Sequence, residues 1–372
     1  MIISYLRSSS YNNWSFCEMQ YYLTYGLGWS FPACQKAEMG TIVHKALECL
    51  ANINKISQTK KKFTFKDDCI GDIKVDSNWM KMEFLSDAEV DFVNKSRKAK
   101  SIYKHKCDIE YGHCREGVDL VEEIFDRVFD YYVSRSTHKW TKANRKHCHN
   151  WTWMPLDYKG GMFDPRKIDI LDVEQKFDIE IDREWAKYDY ELPNGERLTG
   201  KLAIKGTIDL ITGDDDIVEI VDWKTGQRLD WNTGEVKTYA KLKKDPQLML
   251  YYYAAKHLYP NAKQVILSIY YVRDGGPYTI CFDDRHIDEM ESLLEKRFKE
   301  IVACQTPKML HPEQRGWKCE KLCPFFKNKF DESDRDNMCI TAHRHVELHG
   351  LDATTKTYMH KDHKVDHYEA PG

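Results

Sequence analysis

The chain has 372 residues, of which 42% are hydrophobic and 13% aromatic, enough for one large core or two modest ones. A formal net charge of −3 excludes a global basic field, so any surface for nucleic acid must be local. The opening MIISYLRSSS has no apolar signal-peptide stretch, and no run of about 18 apolar residues follows. The 12 cysteines are therefore expected to be reduced thiols of a cytoplasmic protein with no membrane association, some of them metal ligands.

Ser8, Ser9 or Ser10 can cap a first helix that carries Tyr11, Trp14, Cys17, Tyr21 and Tyr22. A second helix begins near Glu38, with Ile42, Val43, Ala46, Leu47 and Leu50 at helical spacing. His44 falls between these apolar positions, where a lone histidine is more often a satisfied core residue. These helices make up a first segment, 1–50, and residues 51–165 read as a mainly helical insertion. The insertion holds a basic run, KSRKAKSIYKHK (95–106), whose plain reading is a solvated helix face. It also holds an amphipathic helix through Val118, Val121, Phe125, Val128 and Tyr132. In 135–153, Lys139, Lys142, Arg145 and Lys146 interleave with Trp140, Trp151 and Trp153. Such cations track a phosphate backbone while indoles stack bases, which suits single strands. A loop packing its tryptophans inward is the alternative. His147, Cys148 and His149 are too closely spaced to chelate well.

Residues 166–310 supply the expected catalytic core. One or two strands lie in 170–190. Gly195 to Lys201 imitates a phosphate loop, but Leu202 stands where Ser or Thr must hold Mg²⁺ and a strand follows, which excludes a motor ATPase. GTIDLIT and IVEIVDWKT then flank an acidic Gly-Asp-Asp-Asp turn, the pattern of a β-hairpin. Side chains alternate along a strand, so Asp222 and Lys224 share one face with Trp223 opposite, and pairing about the turn brings Asp209 close. Two ionised carboxylates ~4 Å apart repel by roughly 4 kcal/mol at an effective dielectric of about 20. One lysine offsets that in part, and a bridging divalent cation relieves it. Oxygen ligands suit Mg²⁺ or Mn²⁺. Lys224 beside such a metal could orient a water nucleophile or stabilise a phosphorane.

After Asp245-Pro246 a helix runs from Gln247 to about Leu258, with Gln247 and Tyr251 on one face. QVILSIYYVR and YTICF form another hairpin, and Ile287, Met290, Leu294, Phe298 and Ile301 mark one more amphipathic helix. A Cys-rich metal-binding cap occupies 311–349, and the polar stretch 350–372 is expected to be a frayed tail.

Four pieces in this order resemble the PD-(D/E)XK nucleases of RecB type: Gly40-Thr41-Ile42-Val43-His44, Gly206-Thr207-Ile208-Asp209, Asp222-Trp223-Lys224-Thr225 and Gln247-Leu-Met-Leu-Tyr251. The resemblance covers about residues 1–50 and 170–345. It implies an α/β fold, a mixed central β-sheet flanked by helices with a restriction-endonuclease-like core. It further implies a metal-dependent DNA nuclease, foremost an exonuclease acting on DNA ends or single strands in recombination, repair or replication. The rival readings are a structure-specific or restriction-type endonuclease, or a non-catalytic nucleic-acid-binding subunit. A nuclease subunit of a larger assembly is a further reading, and such a subunit would work with recombination, replication or CRISPR-adaptation proteins. In the resembling family His44 would ligate the metal with Asp209, Asp222 and the Trp223 carbonyl. Lys224 would position the attacking water, and Gln247 and Tyr251 would hold the scissile strand.

Cys319, Cys323 and Cys339 read better as metal ligands than as packing. With His343 as the fourth ligand the set suits tetrahedral Zn²⁺. With Cys17 it is all-cysteine and suits a [4Fe–4S] cluster. The RecB-type branch with an iron–sulfur staple resembles this arrangement, one Cys in the N-terminal helix and three near the C-terminus. Here fifteen residues separate Cys323 from Cys339, wider than that branch's tight triplet. Tying residue 17 to 319 would close a loop of about 300 residues, worth roughly 5 kcal/mol from (3/2)RT ln n. The expectation is therefore a cluster on Cys17, Cys319, Cys323 and Cys339.

Overall fold

The computed structural model describes residues 1–76, 82–84, 113–115, 118–191, 195–213, 216–230, 234–310 and 316–363. In chain order its first elements are β1 (Tyr5–Leu6), α1 (Ser8–Phe16), α2 (Glu18–Tyr21), α3 (Gln35–Ser57), β2 (Lys62–Asp67), β3 (Gly71–Asp76), β4 (Met82–Phe84) and β5 (His113–Arg115). There follow α4 (Val118–Val133), α5 (Lys142–Asp157), β6 (Ile170–Glu180), β7 (Lys187–Glu191), β8 (Arg197–Lys201), β9 (Ala203–Gly213) and β10 (Ile217–Lys224). The last are α6 (Tyr239–Leu242), α7 (Pro246–Leu258), β11 (Gln264–Tyr271), β12 (Gly276–Cys281), α8 (Arg285–Ala303) and α9 (Met338–Tyr358).

The sheet is built on β9. Antiparallel β6 runs along one side of it, from Glu180↔Ala203 to Ile170↔Thr212. On the other side β1 pairs in parallel with its start and β10 pairs antiparallel with its end. β10 lies parallel to β11 over eight residues, and β11 pairs antiparallel with β12. This is a mixed α/β sheet flanked by helices, the fold of a restriction-endonuclease-like core.

Alternation along the strands sends side chains into two cores. Val218 and Ile220 pack with Leu248 and Leu250 of α7 and Met290, Leu294 and Phe298 of α8. Val221 and Trp223 turn the other way, onto Ile42, Leu47 and Leu50 of α3, Phe125 of α4 and Leu156 of α5. Full burial of a large apolar side chain stabilises by roughly 1.5–3 kcal/mol. Trp223, 0% exposed, thus anchors the strand that ends in Asp-Trp-Lys.

Two expected boundaries shift. The described part of 51–165 holds, beside its helices, an antiparallel hairpin of β2 and β3 whose Phe65, Ile73 and Val75 join the core under α3. The expected boundary at residue 50 falls inside α3, and α3, α4 and α5 form one layer on the central sheet. The tail is helical well beyond residue 350: α9 runs to Tyr358 through a kink at Gly350 (φ 82°). It is tied down there by Tyr22 Oη with Thr355 Oγ1 at 2.9 Å and by Trp29 Nε1 donating to the Tyr358 carbonyl at 2.7 Å. The basic run 95–106 and residues 364–372 lie outside the described residues. Among the described residues no helix is long and apolar enough to cross a membrane.

Candidate active site

The β9–β10 ladder stops at Leu210↔Val221, so the next residues on the two strands are Asp209 and Asp222. Beyond that point the Trp223 amide donates not to a backbone carbonyl but to Asp209 Oδ2, at 3.0 Å. Asp222 is 1% exposed. Its Oδ1 accepts from Lys224 Nζ at 2.8 Å and Gln247 Nε2 at 3.1 Å. Its Oδ2 lies 2.7 Å from Nζ yet receives no well-directed hydrogen bond. Lys224 keeps 30% of its side chain exposed, at the mouth of the site.

His44 comes from α3 and sets Nδ1 3.4 Å from Asp209 Oδ2. Gly40, one turn earlier, makes that approach feasible. A Cβ there would stand 2.6 Å from Thr225 Oγ1, just beyond β10, so a larger residue would displace either that hydroxyl or the helix. Gly206 has the same reason on β9, where a Cβ would stand 2.5 Å from the Phe177 ring. α7 supplies the remaining side chains. Asp245 caps it by accepting from the Gln247 amide at 3.0 Å, Pro246 occupies its first turn, and Gln247 Nε2 also donates to Tyr251 Oη at 3.0 Å.

Burial pushes the Asp222 carboxyl up to about 6, Lys224 works against the rise and Asp209 adds to it. Burial also disfavours the Lys224 ammonium, but Asp222 and Asp209 outweigh that and hold its pKa above the ordinary value. Burial, then the two carboxylates, raise the Tyr251 phenol well above its usual pKa, so it acts as a neutral hydroxyl.

One acidic residue at this site escaped the sequence reading. Glu174 of β6 sits between Val173↔Leu210 and Gln175↔Ile208, across from Asp209. Its φ of +47° is the left-handed region, unusual for a non-glycine residue and a frequent mark of functional sites. Burial first, then Asp209 and Glu48, raise its carboxyl to about 8. No glycine, asparagine or proline marks the distortion in the sequence; the acidic alternation Asp172-Val-Glu174 was the available signal.

The sequence profile of the PD-(D/E)XK nuclease superfamily matches residues 8–327. The chain belongs to the PD-(D/E)XK nuclease superfamily. No curated protein matches it in sequence. As a PD-(D/E)XK chain it carries a site for hydrolysis of nucleic acid, and the members of this superfamily typically use Mg²⁺ or Mn²⁺. Among the described residues no group of three or more His, Cys, Asp or Glu side chains stands ready to hold a metal ion. The donor chemistry nonetheless fits a hard cation, since a buried Asp222 oxygen lacks a hydrogen bond and a second carboxylate and an imidazole lie next to it.

Other sequence candidates in this PD-(D/E)XK chain fall outside that centre. Trp140 is half-buried with its ring against Phe129, centroids 5.4 Å apart, and Trp153 is buried. The tryptophans of 135–153 thus pack inward rather than offering free stacking faces, and Arg145 is bound to Asp126. Lys139, Lys142 and Lys146 are exposed. Cys17, Cys319, Cys323 and Cys339 line one small cavity together with Phe16, Leu23 and Ile340. Burial pushes the Cys323 thiol up to about 11, and the neighbouring Cys17 and Cys319 add to the shift. His343 does not line that cavity; its Nδ1 is 3.5 Å from Glu347.

Proposed function

We propose that this PD-(D/E)XK enzyme is a Mg²⁺- or Mn²⁺-dependent deoxyribonuclease of RecB type, an exonuclease working on DNA ends or single strands in recombination, repair or replication. The observation that carries this reading is the meeting of Asp209, Asp222 and Lys224 where the β9–β10 ladder ends. A divalent cation held by Asp209, Asp222, His44 and the Trp223 carbonyl would polarise the scissile phosphodiester and activate a water. Lys224 stays an ammonium at neutral pH, so it orients that water and stabilises negative charge on the phosphorane rather than taking a proton. Gln247 fixes Asp222 through Oδ1 and is itself paired with Tyr251, whose hydroxyl is available to a phosphate oxygen. Attack is in line, without a covalent enzyme intermediate. The four cysteines around one cavity are read as the holders of a [4Fe–4S] cluster that staples the two ends of the fold. The support is their convergence and the absence of His343 from the cavity wall.

The test compares end-labelled linear DNA, single- and double-stranded, with circular DNA, in Mg²⁺ or Mn²⁺ and in EDTA. Metal-dependent shortening of linear DNA with circles untouched is the expected result. Cleaved circles would replace the exonuclease with an endonuclease, and binding without cleavage in any metal would leave a non-catalytic subunit.

A further inference from the structure

We infer that a single nucleic-acid strand reaches the active site through the cleft between α1 and the α6–α7 segment; this rests on the nuclease reading above. The cleft has a volume of about 890 Å³, the upper part of the range of ligand-sized sites. Its walls include Asn13, Phe16, Gln20, Lys241, Lys244 and Asp245. It lies beside the catalytic centre: Asp245 and Pro246 form its wall, and the next residue, Gln247, holds Asp222. At Ser9 it meets a smaller cavity of about 170 Å³ that is lined by Tyr251, Arg7 and Lys205. Asp245 and Pro246, at the start of α7, thus border the larger space, and Tyr251, one turn on from Gln247, borders the smaller one.

The chemistry of the walls fits an unpaired strand. Asn13 Oδ1 and Gln20 Oε1 are buried without a hydrogen-bond partner, a costly state that a ligand donor would relieve. The amino and imino N–H groups of an unpaired base are such donors, whereas base pairing consumes them in a duplex. Phe16 offers a half-buried ring for stacking. Lys244 is exposed and makes no ion pair among the described residues. Lys241, 39% exposed, pairs with Glu235 at 3.0 Å and Asp230 at 3.5 Å, surface contacts weak enough to yield to a phosphate. Of the two acids in the wall, Asp245 pairs with Lys237 at 2.5 Å, and Asp230 faces Lys241 at 3.5 Å.

Two measurements decide this. In the first, oligodeoxynucleotides carrying one photoactivatable thiothymidine are cross-linked to the wild-type chain in Ca²⁺ and the labelled peptides are mapped. Cross-links in 9–20 and 237–245 support the cleft. Cross-links confined to 139–146, or none at all, overturn it. In the second, Lys241→Ala/Lys244→Ala should raise KM for single-stranded DNA about tenfold, more than it alters kcat, and lower the salt slope by about one to two. An unchanged KM and slope in a variant with normal melting would sink the inference. A wild-type chain that cross-links in the cleft but cuts no DNA would retain the cleft and remove the catalytic reading instead.

Discussion

The backbone amide of Trp223 gives its hydrogen to Oδ2 of Asp209 over 3.0 Å, in place of the strand-to-strand bond that would continue the ladder past Val221↔Leu210. A side-chain acceptor thus ends the pairing and turns one carboxylate toward the other. The arrangement joins structure to chemistry, because the atom that satisfies a strand N–H is also the atom 3.4 Å from His44.

That double duty separates two variants. Asp209→Ala removes the acceptor of a backbone N–H and should cost about 1–3 kcal/mol as well as activity. Asp209→Asn keeps an acceptor oxygen and should melt close to wild type while losing several orders of magnitude in rate. Asp222→Ala and Lys224→Ala should lose comparable activity, with double variants little worse than single ones. Near-normal cleavage by Asp222→Ala, after contaminants are excluded, would falsify the assignment.

The raised Asp222 pKa has a stability consequence in metal-free protein. A carboxyl shifted from 3.8 to about 6 prefers its neutral form when folded, so its ionisation opposes folding above that range. The penalty is absent below pH 4, grows as pH rises through 6 and is complete above it. In EDTA at pH 7.5, Asp222→Asn should therefore melt higher than wild type, by an amount on the order of 1–3 kcal/mol. The advantage should vanish near pH 4. Thermal melts at the two pH values decide it; equal melting at pH 7.5 would mean that Asp222 is not held against its charge.

Gly40→Ala should act through helix position. Its methyl would meet Thr225 Oγ1, so either Thr225 turns aside or α3 moves and takes His44 away from Asp209. A loss of about tenfold in activity or more is expected, given how steeply catalysis depends on ångström placement. Thr225→Ala in the same chain removes the clashing oxygen and should recover part of the loss. Full activity of the single Gly40→Ala variant counts against this contact.

Anaerobically purified protein should be brown with a broad visible absorption band, and Cys17→Ala should lose both the colour and stability. The stability loss follows because Met19, Tyr22 and Leu23 share a core with Cys323, Phe325 and Met338, which the cluster would hold together. Colourless protein carrying one zinc, still loaded in Cys17→Ala, would hand the site to His343.

Much of this site was legible in the chain because it depends on short-range backbone geometry. The two-residue period of IVEIVDWK alone puts Asp222 and Lys224 on one face and Trp223 on the other. The acidic turn returns the chain antiparallel, which brings Asp209 within one strand spacing. Gln247 and Tyr251 share a face because they are four apart on a helix that Asp245-Pro246 starts. The resemblance added the place of His44 and the superfamily.

Tertiary structure decided the rest. Whether the tryptophans of 135–153 face solvent or core depends on what α4 offers them, and Phe129 takes Trp140. That Gly40 must be glycine follows only once Thr225, far along the chain, stands against α3. Glu174 enters the site through the β6–β9 register, which joins segments more than thirty residues apart and forces a left-handed backbone that its own sequence does not favour. Local periodicity tells which way a side chain points. Which distant residue it meets is set by how strands and helices bury their apolar faces against each other, a choice made by the whole core at once.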